Sequence, residues 1–113
     1  MKELLSLIGK EVSGVIDRPL GSRHPDYPDL VYKVNYGYIP EIIAEDGEYQ
    51  DAYFLGVDVP LKTFKGVVIA VIHRLNDVED KLVVAPKGKT FTKEEIEDHV
   101  YFIERYFEHE ILY

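Results

Sequence analysis

Two short acidic stretches carry the residues most suited to chemistry. Asp46, Glu48 and Asp51 fall in A-E-D-G-E-Y-Q-D, directly before an apolar segment. Asp77, Glu79 and Asp80 fall in L-N-D-V-E-D-K, directly after the long apolar run 67–72. Carboxylates this close repel one another in isolation. A hard divalent cation such as Mg²⁺ or Mn²⁺ makes the arrangement favourable, because carboxylate oxygen is the donor it prefers. The plain alternative is a pair of solvated turns, D-G being a common turn dipeptide. Each cluster sits at the end of a strand, so the two share one rim only if those strands are neighbours. Lys81 stands beside the second cluster, and the strand carrying Arg74 leads straight into Asp77. Arg23, His24, His73 and Arg74 either lend charge to a phosphate pocket or only order their loops and pair with acidic neighbours. The spacing does not match a calcium-binding EF-hand, and no Walker, G-x-G-x-x-G or H-E-x-x-H motif is present.

These residues need elements to position them. Leu4, Leu5 and Ile8 lie on one side of 2–8, which stops at Gly9, so a short N-terminal helix is expected there. Segments 11–16, 51–57, 67–72 and 81–85 read as strands; 67–72 is β-branched at five of six positions, and Pro86 closes the last. The segment P-L-G-S-R-H-P-D-Y-P, 19–28, is too rich in breakers for helix or central strand and reads as a fixed surface loop. Thr92 and Glu95 form a capping-box pattern. Ile96, Val100, Ile103 and Phe107 then recur at helical spacing, which predicts an amphipathic helix over about 93–108 with Glu94, Glu95, Glu97, Asp98 and Glu104 on its other faces. His99 and His109 flank the apolar face and read as surface residues. About five short strands with one or two terminal helices predict a mainly β protein, a small barrel with a helix against it.

The whole chain sets further bounds. At 113 residues it fits one domain of ordinary size, spanning 1–113. With no cysteine it has neither disulfides nor thiolate metal sites. A net charge of −8 disfavours nucleic acid and anionic membrane as partners. It also repels small phosphates, so phosphate chemistry would require metal ions or a local cluster of Arg and Lys. No apolar run reaches the roughly 18 residues of a spanning helix, and the charged start 1–10 does not read as a signal peptide, so a cytoplasmic location is the expectation. The nine tyrosines are expected in core and rim packing, with base stacking as the alternative.

Asn35-Tyr36-Gly37-Tyr38-Ile39-Pro40, followed by Asp46-Gly47-Glu48-x-x-Asp51, resembles the soluble inorganic pyrophosphatases of the OB-fold type. That family carries N-Y-G-[YF]-I-P and then D-G-D-x-x-D. The run Asp17-Arg18-Pro19-Leu20 with Ser22 and His24-Pro25 is similar to the family's D-R-x-L-x-S with H-Y-P. Asp77-Val78-Glu79-Asp80-Lys81-Leu82-Val83 is similar to its D-x₄-D-x-K-L-V. The segment from Tyr101-Phe102 to Tyr106 resembles its H-F-F-E-H-Y-K. The matches run in order along nearly the whole chain, from about residue 12 to residue 110.

The resemblance implies a small OB-like five-stranded barrel with a C-terminal helix, and divalent-metal-dependent hydrolysis of pyrophosphate to phosphate. Carried over position by position, Asp46, Asp51, Asp77 and Glu79 become ligands of magnesium or manganese. Arg18, Tyr36, Lys81 and Tyr106 become phosphate contacts, with Arg74 added from its place before Asp77. Glu48 takes the position of the family's second Asp and, with Asp51, the task of orienting or deprotonating the attacking water; two residues beyond Asp46, it is expected on the same side of an extended segment. This chain departs from the pattern in several places. It is shorter than the usual enzyme, and Lys10 and Glu11 are the nearest stand-ins for the family's first phosphate Lys and first metal-adjacent Glu. Glu48 replaces an Asp, the loop before Lys81 is shortened to D-x-E-x-K, the family's Tyr-Lys pair becomes Tyr106-Phe107, and 25–34 has no counterpart. Hydrolysis of a different phosphoanhydride or ester, and a non-catalytic barrel that binds a phosphorylated ligand or assembles with copies of itself, stay open.

Overall fold

A computed structural model describes residues 2–113. The strands are β1 (Glu11–Arg18), β2 (Asn35–Ile43), β3 (Tyr49–Phe54), β4 (Thr63–Arg74), β5 (Lys81–Ala85) and β6 (His109–Leu112), with helices α1 (Lys2–Leu5) and α2 (Lys93–Glu104). Hydrogen bonding runs in the order β1-β2-β3-β5-β4, and β4 returns to β1, which closes a five-stranded barrel. All the barrel pairings are antiparallel except β3 with β5. β4 is long enough to serve three neighbours: Thr63–Val67 pair with β1, Val67–Ile72 with β5, and Val71–Arg74 with β6.

Period-two alternation divides the strand residues between two cores. Ala52 and Phe54 join Ile16, Ile39, Val68, Leu82 and Val84 in one cluster, which fills the barrel. Tyr53 and Leu55 point the other way and pack with Ile72, Val83, Ile96, Val100 and Phe102, under α2. Thr92 caps α2 as its sequence predicts: its hydroxyl accepts from Glu95 N, while the Glu95 carboxylate accepts from Thr92 N.

Two strands go beyond the sequence expectation. β2 contains the N-Y-G-Y-I-P run; it accommodates Pro40 because the β2–β3 register breaks between Ile39 and Ile43, so the missing N–H costs no ladder bond. A Cβ on Gly37 would collide with the carbonyl of Val15, so the crossing of β1 and β2 requires glycine there. Asn35 is fully buried and ties loops to this strand: its amide oxygen accepts from Leu20 N and Leu61 N, and its amide nitrogen donates to Val59 O. At the other end, α2 stops at Glu104 rather than near 108. The tighter bonds Tyr106 N to Ile103 O and Phe107 N to Glu104 O turn the chain out of the helix and into β6. Phe107 therefore lies beyond the helix whose stripe it was expected to continue, and Phe102 takes a core place instead.

Candidate active site

The end of β4 and the start of β5 bring two buried cations to the same acidic rim. Lys81 is 2% exposed. Its Nζ donates to Asp51 Oδ2 at 2.6 Å, to Glu79 Oε2 at 2.9 Å and to the Tyr36 hydroxyl at 3.0 Å, which uses all its protons. Tyr36 faces this group because it is the β2 partner of Tyr53, two places from the Tyr38–Asp51 pair. Burial and the adjoining Asp51 carboxylate push the Tyr36 phenol well above its ordinary pKa, so it stays neutral and can donate in turn.

Arg74 is held more tightly still. Nε donates to Glu104 Oε1 at 3.0 Å and Nη2 to Glu104 Oε2 at 2.7 Å, a two-pronged pairing with a fully buried carboxylate. Tyr53 donates to the same Oε2 at 2.6 Å, and the guanidinium lies over the Phe107 ring at 3.6 Å. Only Nη1 is turned to the acidic loop, donating to Asp77 Oδ2 at 3.3 Å and lying 3.6 Å from Glu79 Oε2. Burial opposes charge on Arg74, but the hydrogen bonds and charge of Glu104 outweigh it and hold the group above the ordinary arginine value. At Asp77 burial is the largest single effect and raises the carboxyl, but the N–H groups of Val78 and Glu79 and the Arg74 guanidinium together outweigh it and keep the carboxyl below the usual range.

Two cavities flank these cations. One, of about 490 Å³, has Asp46, Asp51, Glu79 and Asp80 in its wall. The other, of about 850 Å³, has Tyr36, Arg74, Lys81 and Tyr106 in its wall and shares Glu79 with the first. Three expected metal ligands, Asp46, Asp51 and Glu79, and four expected phosphate contacts, Tyr36, Arg74, Lys81 and Tyr106, thus line adjoining cavities, joined through Glu79 and the Lys81 bridge to Asp51.

Several expected residues are placed differently. Asp46 and Glu48 do not lie along an extended segment. They are in the β2–β3 hairpin turn, where Ala44 N donates to Glu48 O, Gly47 has a φ of 86°, and Asp46 Oδ1 accepts from Glu48 N. Period-two geometry therefore does not apply to them, and the exposed Glu48 side chain lines neither cavity. Asp77 and Arg18 also lie outside both linings. Arg18 donates to its neighbour's carbonyl, Asp17 O, and is opposite Tyr36 in register. Asp80 accepts from Arg74 N and pairs with His73 Nδ1 at 2.9 Å, which makes it a structural partner of the β4 end. Among the described residues, no three metal-ligating side chains converge to form a ready cage. Lys81 holds Asp51 and Glu79, Arg74 holds Asp77, and Asp46 accepts from Glu48 N in its own turn.

The sequence reading misses two members of this network. Glu104, expected off the apolar face of the helix, lies four residues after Val100, within the same stripe as Ile96, and is fully buried. Helical spacing could have found it. Tyr53 is hidden inside an apolar run, where nothing marks its hydroxyl. His109 is likewise no simple surface residue: Nδ1 meets Phe107 O and Nε2 meets Glu97, both at 2.9 Å.

No family model matches the chain. It is 37% identical over 68 residues to an inorganic pyrophosphatase of Saccharolobus solfataricus, a match covering 57% of this chain and 40% of that protein. It is 32% identical over 95 residues to soluble inorganic pyrophosphatase 2 of Chlamydomonas reinhardtii, covering 74% of this chain and 50% of that protein. The chain thus spans half or less of the length of these curated relatives. Among solved structures, an inorganic pyrophosphatase from Neisseria gonorrhoeae superposes with a TM-score of 0.66 at 21% identity, over 87% of this chain and 74% of that one. One from Ehrlichia chaffeensis gives 0.68 at 17% identity, over 91% and 85%. The barrel described above, with its C-terminal helix, is the inorganic pyrophosphatase fold.

Proposed function

We propose that the protein hydrolyses inorganic pyrophosphate to two phosphates with a divalent metal ion. The observation that carries this reading is the junction at Glu79, where a cavity walled by carboxylates adjoins one walled by Lys81, Arg74 and two tyrosines. The similarity to curated pyrophosphatases supports the choice of substrate.

The donor set suits a hard cation: Asp46, Asp51 and Glu79 face one cavity with oxygen ligands alone. These three, and Asp77, which shares Arg74 Nη1 with Glu79 from outside the cavity lining, are the residues that would hold Mg²⁺ or Mn²⁺. Such an ion, when bound, lowers the pKa of a water and offsets phosphate charge. The remaining chemistry belongs to the chain. Lys81 and Arg74 bind phosphate oxygens by exchanging present partners for them: Lys81 gives up one of its bonds to Asp51, Glu79 or Tyr36, and Arg74 turns Nη1, which Glu104 does not engage, from Asp77 to phosphate. Tyr36 and Tyr106 donate hydroxyl hydrogen bonds, and Arg18 supplies charge from the β1 end. Asp51 is the better placed of the two candidate bases: it lines the carboxylate cavity and touches Lys81, whereas Glu48 is at the hairpin tip. A carboxylate there orients the attacking water and takes its proton. Absence of nucleic-acid partners and a cytoplasmic site of action belong to the same proposal.

The test is orthophosphate release from pyrophosphate by the purified chain with Mg²⁺, with Mn²⁺ and with a chelator. Metal-dependent release is expected. No release with either metal, together with turnover of another phosphate compound, would move the reading to a different hydrolase.

A further inference from the structure

The cavity in front of Lys81 and Arg74 is larger than a bare diphosphate requires. Its volume of about 850 Å³ lies in the range of sites for drug-sized organic ligands. Much of its wall comes from 24–32, within the loop between β1 and β2 that includes the segment without a counterpart. That wall is a ladder of rings. Tyr27 is 5.1 Å from His24, His24 stacks on Tyr32 at 6.3 Å with 9° between planes, and Tyr32 is 5.7 Å from Tyr36. The ladder ends at the Tyr36 hydroxyl, which accepts from Lys81 Nζ. Its outer rung, Tyr27, is 66% exposed, so core packing does not account for it. Asp26 and Asp29 face the same end of the loop and disfavour a further phosphate there. What the outer half can favour is an uncharged planar group.

We propose that this site takes a diphosphate joined to an aromatic ring system, of the nucleoside diphosphate class, with its phosphates at Lys81 and Arg74 and its ring against Tyr27 and His24, which the buried Tyr32 backs from the core side. The inference rests on the phosphoanhydride hydrolysis proposed above. In the reaction, a water oxygen bonds to the terminal phosphorus. The bridging P–O bond breaks with its electron pair staying on the organic phosphate, and the water proton passes to a carboxylate and then to solvent. The products are orthophosphate and the organic monophosphate.

The experiment is calorimetric titration of the full chain, in Mg²⁺, with ADP, UDP, pyrophosphate and tripolyphosphate, the last two lacking a ring. It is repeated on Tyr27→Ala and Tyr27→Phe, with phosphorus NMR of the products. The nucleotides are expected to bind about tenfold or more tightly than the ring-free anions, given the usual strength of base–aromatic stacking. Tyr27→Ala should shrink that ratio by a similar factor, and Tyr27→Phe should keep it. Pyrophosphate binding as tightly as ADP and UDP, or a ratio unmoved in Tyr27→Ala, overturns the inference and leaves pyrophosphate hydrolysis standing. Failure of all four anions to bind overturns both. Because Tyr27 is exposed, the variants should melt like the parent, so lost affinity reports the site.

Discussion

Glu104 has no solvent contact, so its charge depends on Arg74 and Tyr53. Removing that charge strands the buried guanidinium. Glu104→Gln should destabilise the fold by about 3–5 kcal/mol, the cost of breaking a buried pair from one side. Tyr53→Phe leaves both Arg74 bonds in place and should cost only about 1–2 kcal/mol. Urea denaturation ranks the two, and an equal loss would mean that Arg74 does not depend on Glu104. This is also the scale at which the sequence was hardest to read. Lys81 was legible because it sits two residues from Glu79 in a D-x-E-x-K run. The Arg74–Glu104 pair spans 30 residues, and a glutamate on an amphipathic helix looks solvated until its partner is known. Glu48 shows the opposite error. Its spacing from Asp46 suggested a shared face, but the D-G turn between them rotates the side chains apart.

At the scale of elements, α2 was the clearest feature in advance because capping box and helical period agree, and its start at Lys93 is where both place it. Its end was not legible. No glycine marks it, and Phe107 keeps the apolar period while serving Arg74 rather than the helix. The strand that follows is only four residues long and gains its stability by pairing with the end of β4. His109 fastens this strand to α2. Burial opposes its charge, but the Phe107 carbonyl, Glu97 and the more distant Glu104 outweigh burial and raise its pKa above the ordinary 6.5. With the folded value above the unfolded one, the protonated ring contributes stability that is complete below about pH 6.5 and is lost as pH rises through the raised value. His109→Gln should therefore lower Tm relative to the parent more at about pH 5.5 than at about pH 9. A difference independent of pH would assign His109 a packing role only.

The molecule as a whole carries a net charge of −8 yet buries two cations, Lys81 and Arg74, against its acidic loops, which is what the proposed anionic substrate requires. Fold class was readable because the apolar strands and the N-Y-G-Y-I-P run each carry their own local signal. The barrel's closure was not, since it depends on a long β4 serving three partners. The proposed division of labour between the two cavities makes Asp51 the base: Asp51→Asn should lower turnover of pyrophosphate by about 10²–10⁴-fold, and Glu48→Gln by much less. The reverse order, measured by phosphate release, would return that role to the hairpin tip. If the two cavities form one site through Glu79 and Lys81, metal and phosphate must tighten each other's binding, because coupling between ligands is reciprocal. The direct measurement is calorimetric titration of Mg²⁺ into the protein with and without methylenediphosphonate, a pyrophosphate analogue that cannot be hydrolysed. The diphosphonate should raise Mg²⁺ affinity by about 5–150-fold; equal Mg²⁺ affinity with and without it, after allowing for the metal the analogue binds in solution, would contradict a shared site.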